Sequence, residues 1–278
     1  MIVSQDKITS RHNRLIVETG KLGDRKARTV ERRFCLEGIK LFCEAAEKGI
    51  EIERVFVAES RAERVMAELE RKSGCPALET ATVHTVSDDV FAKISREQAP
   101  EGILAVAAFP SFHAEGREAR DMLLSACKEN GGILLLESVR DPGNVGTILR
   151  SAVAFGISCV VMSADCADIY NAKTVRGAMG ALFKMKIAFF SDITEAIGLL
   201  RENGRRVFAA ALDPTAQRLG PSVLNRNDSV AVGNEGHGLS PEAIAACDRS
   251  LYIPMEQGSE SLNAAIAASV ILWNMYSN

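Results

Sequence analysis

Three short stretches of this 278-residue chain hold residue types and spacings from which chemistry can be built. The first is Asp141-Pro142-Gly143-Asn144-Val145-Gly146-Thr147-Ile148-Leu149-Arg150. Asn144 is placed to cap a helix and Gly146 allows close backbone approach. Arg150, six residues beyond Asn144, offers a planar guanidinium fork. The second, Gly233-Asn234-Glu235-Gly236-His237-Gly238, is glycine-rich but lacks the G-x-G-x-x-G spacing of a dinucleotide fingerprint. Its glycines suit either an adenosine cofactor held by main-chain groups or a simple tight turn. The third is Ile253-Pro254-Met255, followed by Ser259-Glu260-Ser261-Leu262-Asn263.

Each stretch lies behind or beside an apolar run, and in parallel α/β sheets ligands bind outside the carboxyl ends of strands. Ile133-Leu134-Leu135-Leu136 is wholly apolar, as expected of a central strand covered on both faces. Further strands read at Cys159-Val160-Val161-Met162, Lys186 to Phe189, Val207 to Ala211, Val230-Ala231-Val232 and Leu251-Tyr252-Ile253. Helices lie between most of them. Asp192 with Glu195 forms a capping-box pattern, and Ser240-Pro241 supplies an N-cap with proline at the first helical position. A last helix is expected from near Ser261 through Trp273. The pattern predicts a parallel, three-layer α/β domain over 121–278.

The front of the chain reads as a smaller α/β unit over 1–108. Helical spacing covers about Ser10 to Leu22, Ile39 to Lys48 and Ala62 to Lys72, with strands at Arg33 to Glu37, Val55 to Val57, His84 to Val86 and Ile103 to Ala107. Phe109-Pro110-Ser111 breaks the pattern, so 109–120 is expected to be a linker. Charge is uneven here. Met1 to Arg33 carries nine Lys and Arg against four Asp and Glu, although residues 1–108 balance at 18 of each sign. The cluster that includes Arg11, Arg14, Arg25, Lys26 and Arg28 therefore reads as a phosphate-contacting face or as a solvated helix and loop.

Composition limits the classes. A hydrophobic fraction of 47% with 25% charged residues is that of an ordinary globular chain rather than a disordered one. No apolar run approaches the roughly 18 residues of a membrane span, and no signal-peptide pattern opens the chain, so a cytoplasmic protein is expected. The seven cysteines (Cys35, Cys43, Cys75, Cys127, Cys159, Cys166, Cys247) form no Cys-x-x-Cys pair, and the four histidines show no ligand spacing. Reduced, mostly buried thiols are expected, and no structural metal.

Taken together, and in this order, the three loops resemble the motifs of the SpoU-type (TrmH-like) RNA ribose 2′-O-methyltransferases of the SPOUT superfamily. The resemblance rests on Asn144-x-Gly146-x-x-x-Arg150, on Gly233-Asn234-Glu235-Gly236-His237-Gly238-Leu239-Ser240, and on Ile253-Pro254-Met255 through Ser261-Leu262-Asn263-Ala264-Ala265; it spans 132–278. The front part, with Ser10-Arg11-His12-Asn13 and Leu36-Glu37-Gly38, resembles the substrate-binding domain often fused ahead of it. The resemblance implies a deep trefoil knot in the catalytic domain, a homodimer through that domain, and S-adenosylmethionine as cofactor. It further implies methylation of a ribose in ribosomal RNA, ahead of transfer RNA, by a small RNA-binding domain joined to a catalytic one. Carried across, Asn144, Arg150, Glu235, Ser261 and Asn263 occupy catalytic positions. Leu212, Gly233, Asn234, Gly236, Ile253, Met255 and Leu262 occupy cofactor positions.

The chain departs from the family pattern at Ala264-Ala265, where relatives often have Val-Ser, at Gly177-Ala178, and at Asn274, where glutamate is usual. Two other classes compete. A non-catalytic RNA-binding protein on the same fold would have lost Arg150 or the Gly233 loop, and both are present. A dehydrogenase would carry G-x-G-x-x-G after the first strand of either domain, and neither has it.

Overall fold

Apolar runs bounded by glycine and polar turns become strands wherever both faces find cover. The computed structural model describes residues 2–4, 6–71, 81–256 and 261–278. They form two units, Met1–Pro110 with Asp168–Phe183, and Ser111–Ala167 with Lys184–Asn278. Lys72, Cys75, Ser259 and Glu260 lie outside the described residues.

The first unit contains β1 (Ile2–Val3), β2 (Arg33–Glu37), β3 (Ile52–Ala58), β4 (Thr82–Val86) and β5 (Ile103–Ala108) in the order β1-β4-β3-β5-β2. The sheet is mixed: β1, β4 and β3 run parallel, and β5 runs antiparallel to both β3 and β2. The helix expected from Ser10 begins only at Arg14, because Asn13 caps it, and a second helix, Arg25–Glu31, is capped by Asp24. Asp168–Phe183 packs within this unit. The Tyr170 ring stacks on Phe109 at 3.7 Å between centroids and lies 4.9 Å from Phe34. Arg28 donates to Asp168 at 2.6 and 3.0 Å and to the Leu22 carbonyl at 2.7 Å.

The second unit contains β6 (His113–Glu115), β7 (Ile133–Leu136), β8 (Cys159–Ser163), β9 (Ile187–Phe190), β10 (Val207–Ala210), β11 (Gln217–Arg218), β12 (Ser229–Val232) and β13 (Arg249–Tyr252). Their order is β11-β13-β10-β12-β7-β8-β9-β6, and every pairing is parallel. Ile133, Leu135, Cys159, Val161, Ala209 and Ala231 face one core with the helices Gly116–Cys127, Ile193–Glu202 and Pro241–Ala246. The alternate residues Leu134, Leu136, Val160 and Met162 are equally buried, so the sheet is covered on both faces. The remaining helices, Pro142–Ala154 and Ala264–Ser277, join each other through a 2.7 Å hydrogen bond between the Ser151 and Ser269 hydroxyls.

Several local expectations need correction. Part of the stretch expected as a linker is ordered: β6 pairs with β9, and a helix starts at Gly116. The last helix starts at Ala264 rather than Ser261, because the Asn263 side chain accepts from the Ala265 and Ile266 amides. Asp192 caps its helix, but Glu195 pairs with Arg120 rather than closing the box. Among the described residues the cysteines are free thiols, and no helix is long and apolar enough to cross a membrane.

Candidate active site

The site is built in the second unit, where the loops behind β7 and β12 meet the start of the last helix. Asn144 was expected to cap its helix, yet Asp141 does so, accepting from the Asn144 amide at 2.9 Å with Pro142 in the first turn. Capping one turn earlier frees the Asn144 side chain. Its Nδ2 donates to Glu235 Oε1 at 2.7 Å, and its Oδ1 accepts from Asn263 Nδ2 at 2.9 Å. One amide thus joins the three sequence motifs.

The glycine loop folds on itself. Asn234 and Gly238 exchange main-chain hydrogen bonds of 3.0 and 2.9 Å, while Asn234 Oδ1 accepts from the Gly236 amide at 2.7 Å. A Cβ on Gly233 would lie 2.2 Å from the Gly238 carbonyl carbon, so no other residue fits there. The loop is anchored by Asn234 Nδ2, which donates to the Ser138 carbonyl at 2.7 Å, and by Glu137, which accepts from the Ser240 amide and hydroxyl at 2.7 Å each. Ser138 takes a left-handed φ of 56°. Its amide donates to Ser163 Oγ at 2.8 Å, and its hydroxyl donates to Asp165. Burial would raise the Asp165 carboxyl, but hydrogen bonds from Ser138, Ser163 and Arg140 outweigh it and bring it below its usual range. Sequence reading missed Glu137, Ser138 and Asp165. A glutamate directly behind an apolar strand was the one available signal.

The sheet leaves main-chain groups unused beside this loop. Ser229 of β12 donates to the Arg206 carbonyl next to β10 at 2.8 Å, and Leu251 of β13 accepts from the Ala211 amide at 3.1 Å. Strand alternation puts Gly233 and Ile253 next in those two series, but β10 ends at Ala210. Neither residue makes a main-chain hydrogen bond to another described residue, and Gly233 is buried. Buried main-chain groups are almost always paired, so this edge is suited to a ligand with its own donors and acceptors, such as an adenosine. Met255 and Leu262 are half-buried, and Leu212 is 71% exposed in the turn beyond β10. Arg150 and Ser261 are exposed and have no polar partner among the described residues.

The residues expected to contact RNA belong to the first unit and separate into two kinds. Arg11 pairs with Asp89 at 3.1 Å and Arg14 with Glu18 at 2.7 Å, all well exposed except Glu18, and Arg25 and Lys26 are also exposed. Arg28 is the correction. Its side chain is 6% exposed and committed to Asp168 and Leu22, so it is part of the framework rather than a phosphate contact.

Comparison with known proteins supplies the context for this geometry. Residues 132–273, just over half of the chain, match the SpoU rRNA Methylase family, and residues 13–105 match the MRM3-like substrate binding domain. The 23S rRNA (guanosine(2553)-2′-O)-methyltransferase RlmP of Bacillus subtilis (strain 168) is 29% identical over 271 residues, covering 97% of this chain and 98% of that one. A 23S rRNA (uridine(2479)-2′-O)-methyltransferase of Streptomyces viridochromogenes is 26% identical, covering 96% and 90%. The crystal structure of an AdoMet-bound rRNA methyltransferase from Sinorhizobium meliloti is similar at a TM-score of 0.80 and 27% identity, covering 99% of this chain and 98% of that one. Matched over half its length by one family and aligned with these relatives nearly end to end, the chain belongs to the SpoU rRNA methylase family.

Proposed function

We infer that the chain is an S-adenosylmethionine-dependent RNA methyltransferase acting on a ribose 2′-hydroxyl of ribosomal RNA. The observation that carries this reading is the single Asn144 amide joining Glu235 and Asn263, in the same unit as the unused main-chain groups of Gly233 and Ile253. The names of the aligned relatives support the ribosomal substrate.

Main-chain groups of Gly233, Ile253 and Leu262 would hold the cofactor, with Asn234, Gly236 and Met255 shaping its walls and Leu212 shielding it. Bound there, S-adenosylmethionine supplies an electrophilic methyl group on a sulfonium. The work left to the chain is to fix the hydroxyl, which is where positioning contributes most. Asn144 and Asn263 place the nucleotide, and Glu235 keeps Asn144 in orientation. Ser261 is a further hydrogen-bonding group at the mouth of the last helix. A guanidinium keeps its proton throughout the accessible pH range, so Arg150 serves as a fork on the adjacent phosphate rather than as a base. The phosphate or solvent then takes the hydroxyl proton.

Two features accompany this reading. The strand order supports a knotted C-terminal segment: β12 inserts between β7 and β10, and β13 then crosses to the far side of β10. A second copy of the chain covers the last helix, where Ile266, Val270 and Trp273 are 54%, 36% and 57% exposed at i, i+4 and i+7. Exposed Arg11, Arg14, Arg25 and Lys26 contact the RNA.

The reading is tested by calorimetric titration. S-adenosylhomocysteine should bind at one site per chain and raise the melting temperature, and NAD should do neither. NAD binding without S-adenosylhomocysteine binding would overturn it.

A further inference from the structure

The first unit contains a cleft of about 480 Å³ walled by the helix Arg14–Lys21 and by side chains of β2 and β3. That volume lies within the roughly 300–1,000 Å³ of small-ligand clefts. Arg14, Glu18, Glu31, Arg33 and Arg54 line it and belong to a ladder of alternating charge that Glu53 completes from outside the cleft. Arg14 reaches Glu18 at 2.7 Å, Glu18 reaches Arg54 at 3.2 Å, and Arg54 reaches Glu53 at 3.6 Å. Glu53 also pairs with Arg33, which reaches Glu31 at 3.1 Å. The guanidiniums of Arg14 and Arg54 hold the Glu18 carboxyl below its usual range, so it stays an acceptor. Lys21 lines the cleft outside the ladder and has no ion-pair partner among the described residues.

At the cleft wall sits Thr19, 3% exposed, whose Oγ1 is buried and makes no hydrogen bond to a described residue. A buried hydroxyl without a partner is costly and needs an explanation. A ligand that is only anionic has no use for the carboxylates. Nucleobase edges, in contrast, alternate donors and acceptors, and unpaired RNA bases are read on such edges.

We propose that this cleft takes one unpaired nucleotide of the RNA substrate, with the base edge on the Arg–Glu ladder and Thr19 Oγ1 and the phosphate on Lys21. This rests on the RNA methyltransferase reading above and adds the place where the first unit reads a base. The site is distinct from the Asn144 junction, so its loss acts on substrate binding and not on the transfer step.

The test uses full-length wild type, Thr19→Val and Lys21→Ala with unmodified large-subunit ribosomal RNA transcribed in vitro. Thr19→Val removes a hydroxyl that has no partner in the free protein, so its melting temperature should hold or rise. Its KM for RNA should rise about fivefold to tenfold at constant kcat and constant S-adenosylhomocysteine affinity. Lys21→Ala should weaken RNA binding and make the slope of log affinity against log salt shallower by about one. Unchanged RNA affinity in Thr19→Val, or a lowered melting temperature with no change in KM, would overturn the cleft assignment while leaving the methyltransferase reading intact. A wild-type protein that binds S-adenosylhomocysteine but neither binds nor methylates the RNA would overturn the underlying reading instead.

Discussion

Replacing Asn144 by aspartate keeps the size of the side chain but reverses the polarity of the contact that joins the three motifs. The Nδ2 that donates to Glu235 at 2.7 Å becomes a carboxylate oxygen facing another carboxylate. A hydrogen bond to a charged group is worth about 1.5–3 kcal/mol, and this contact is solvent-exposed, so the lower figure applies. Two like charges about 4 Å apart add roughly 1 kcal/mol in water and more at lower dielectric. The total, about 2.5 kcal/mol, corresponds to a fall of roughly seventyfold in single-turnover methylation. The assay follows transfer of a labelled methyl group to unmodified ribosomal RNA under saturating cofactor. The informative variant is the double one, Asn144→Asp with Glu235→Gln. It restores a donor opposite an acceptor with the direction exchanged, and it should recover most of the loss. Strictly additive effects of the two substitutions would refute the claim that these side chains act as one unit.

Arg150→Ala should cost about 10²–10³ in rate with S-adenosylhomocysteine affinity unchanged, and Arg150→Lys should rescue little; retention of the wild-type single-turnover rate would contradict the fork assignment. Arg205, 8% exposed, donates to the carbonyls of Ala126, Cys127, Glu129, Gly131 and Asn227, so Arg205→Met should destabilise by at least about 3 kcal/mol in urea unfolding. Burial pushes the Cys159 thiol up to about 12, against about 8.5 in an unfolded chain. Its neutral form favours the fold, a contribution that is whole below about pH 8.5 and lost as pH rises toward 12, so Cys159→Ala should flatten the alkaline limb of a stability–pH profile. Trp273→Glu puts a charge in the exposed stripe of the last helix and should weaken the proposed dimer in sedimentation; a monomeric wild type, or a dimer that the substitution leaves unchanged, would contradict that interface.

The catalytic unit was the more legible part of the sequence. Its strands are buried on both faces, so Ile133–Leu136 and Ser229–Val232 read as continuous apolar runs bounded by turns. The motif residues were legible as well, because Gly233 leaves no room for a side chain and Asn144 sits at a strand-to-helix turn. Which side chain capped the helix was not. Asp141 and Asn144 are both good caps, and only the three-dimensional demand of Glu235 and Asn263 on Asn144 settles the choice.

Long-range packing was harder to foresee. Arg28 and Asp168 are 140 residues apart, and a charge count cannot tell a paired, buried arginine from one left for a phosphate. The same packing bears on truncation. Cutting away the front of the chain would strip Tyr170 and Asp168 of Phe34, Phe109 and Arg28, so a free-standing catalytic unit needs that apolar surface replaced. Very short strands such as His113–Glu115 carry too few residues to show a period of two, and the polar residues that follow made the stretch read as linker.

The central claim, methyl transfer to a ribose, is tested most directly by the identity of the product. Unmodified ribosomal RNA is incubated with the purified protein and S-adenosylmethionine carrying a labelled methyl group, then digested to nucleosides and analysed by mass spectrometry. The label should appear in one nucleoside, on the sugar fragment, as a 2′-O-methyl group, and Arg150→Ala should slow its appearance by about 10²–10³. Label on the base fragment, or none despite S-adenosylhomocysteine binding, would contradict the account.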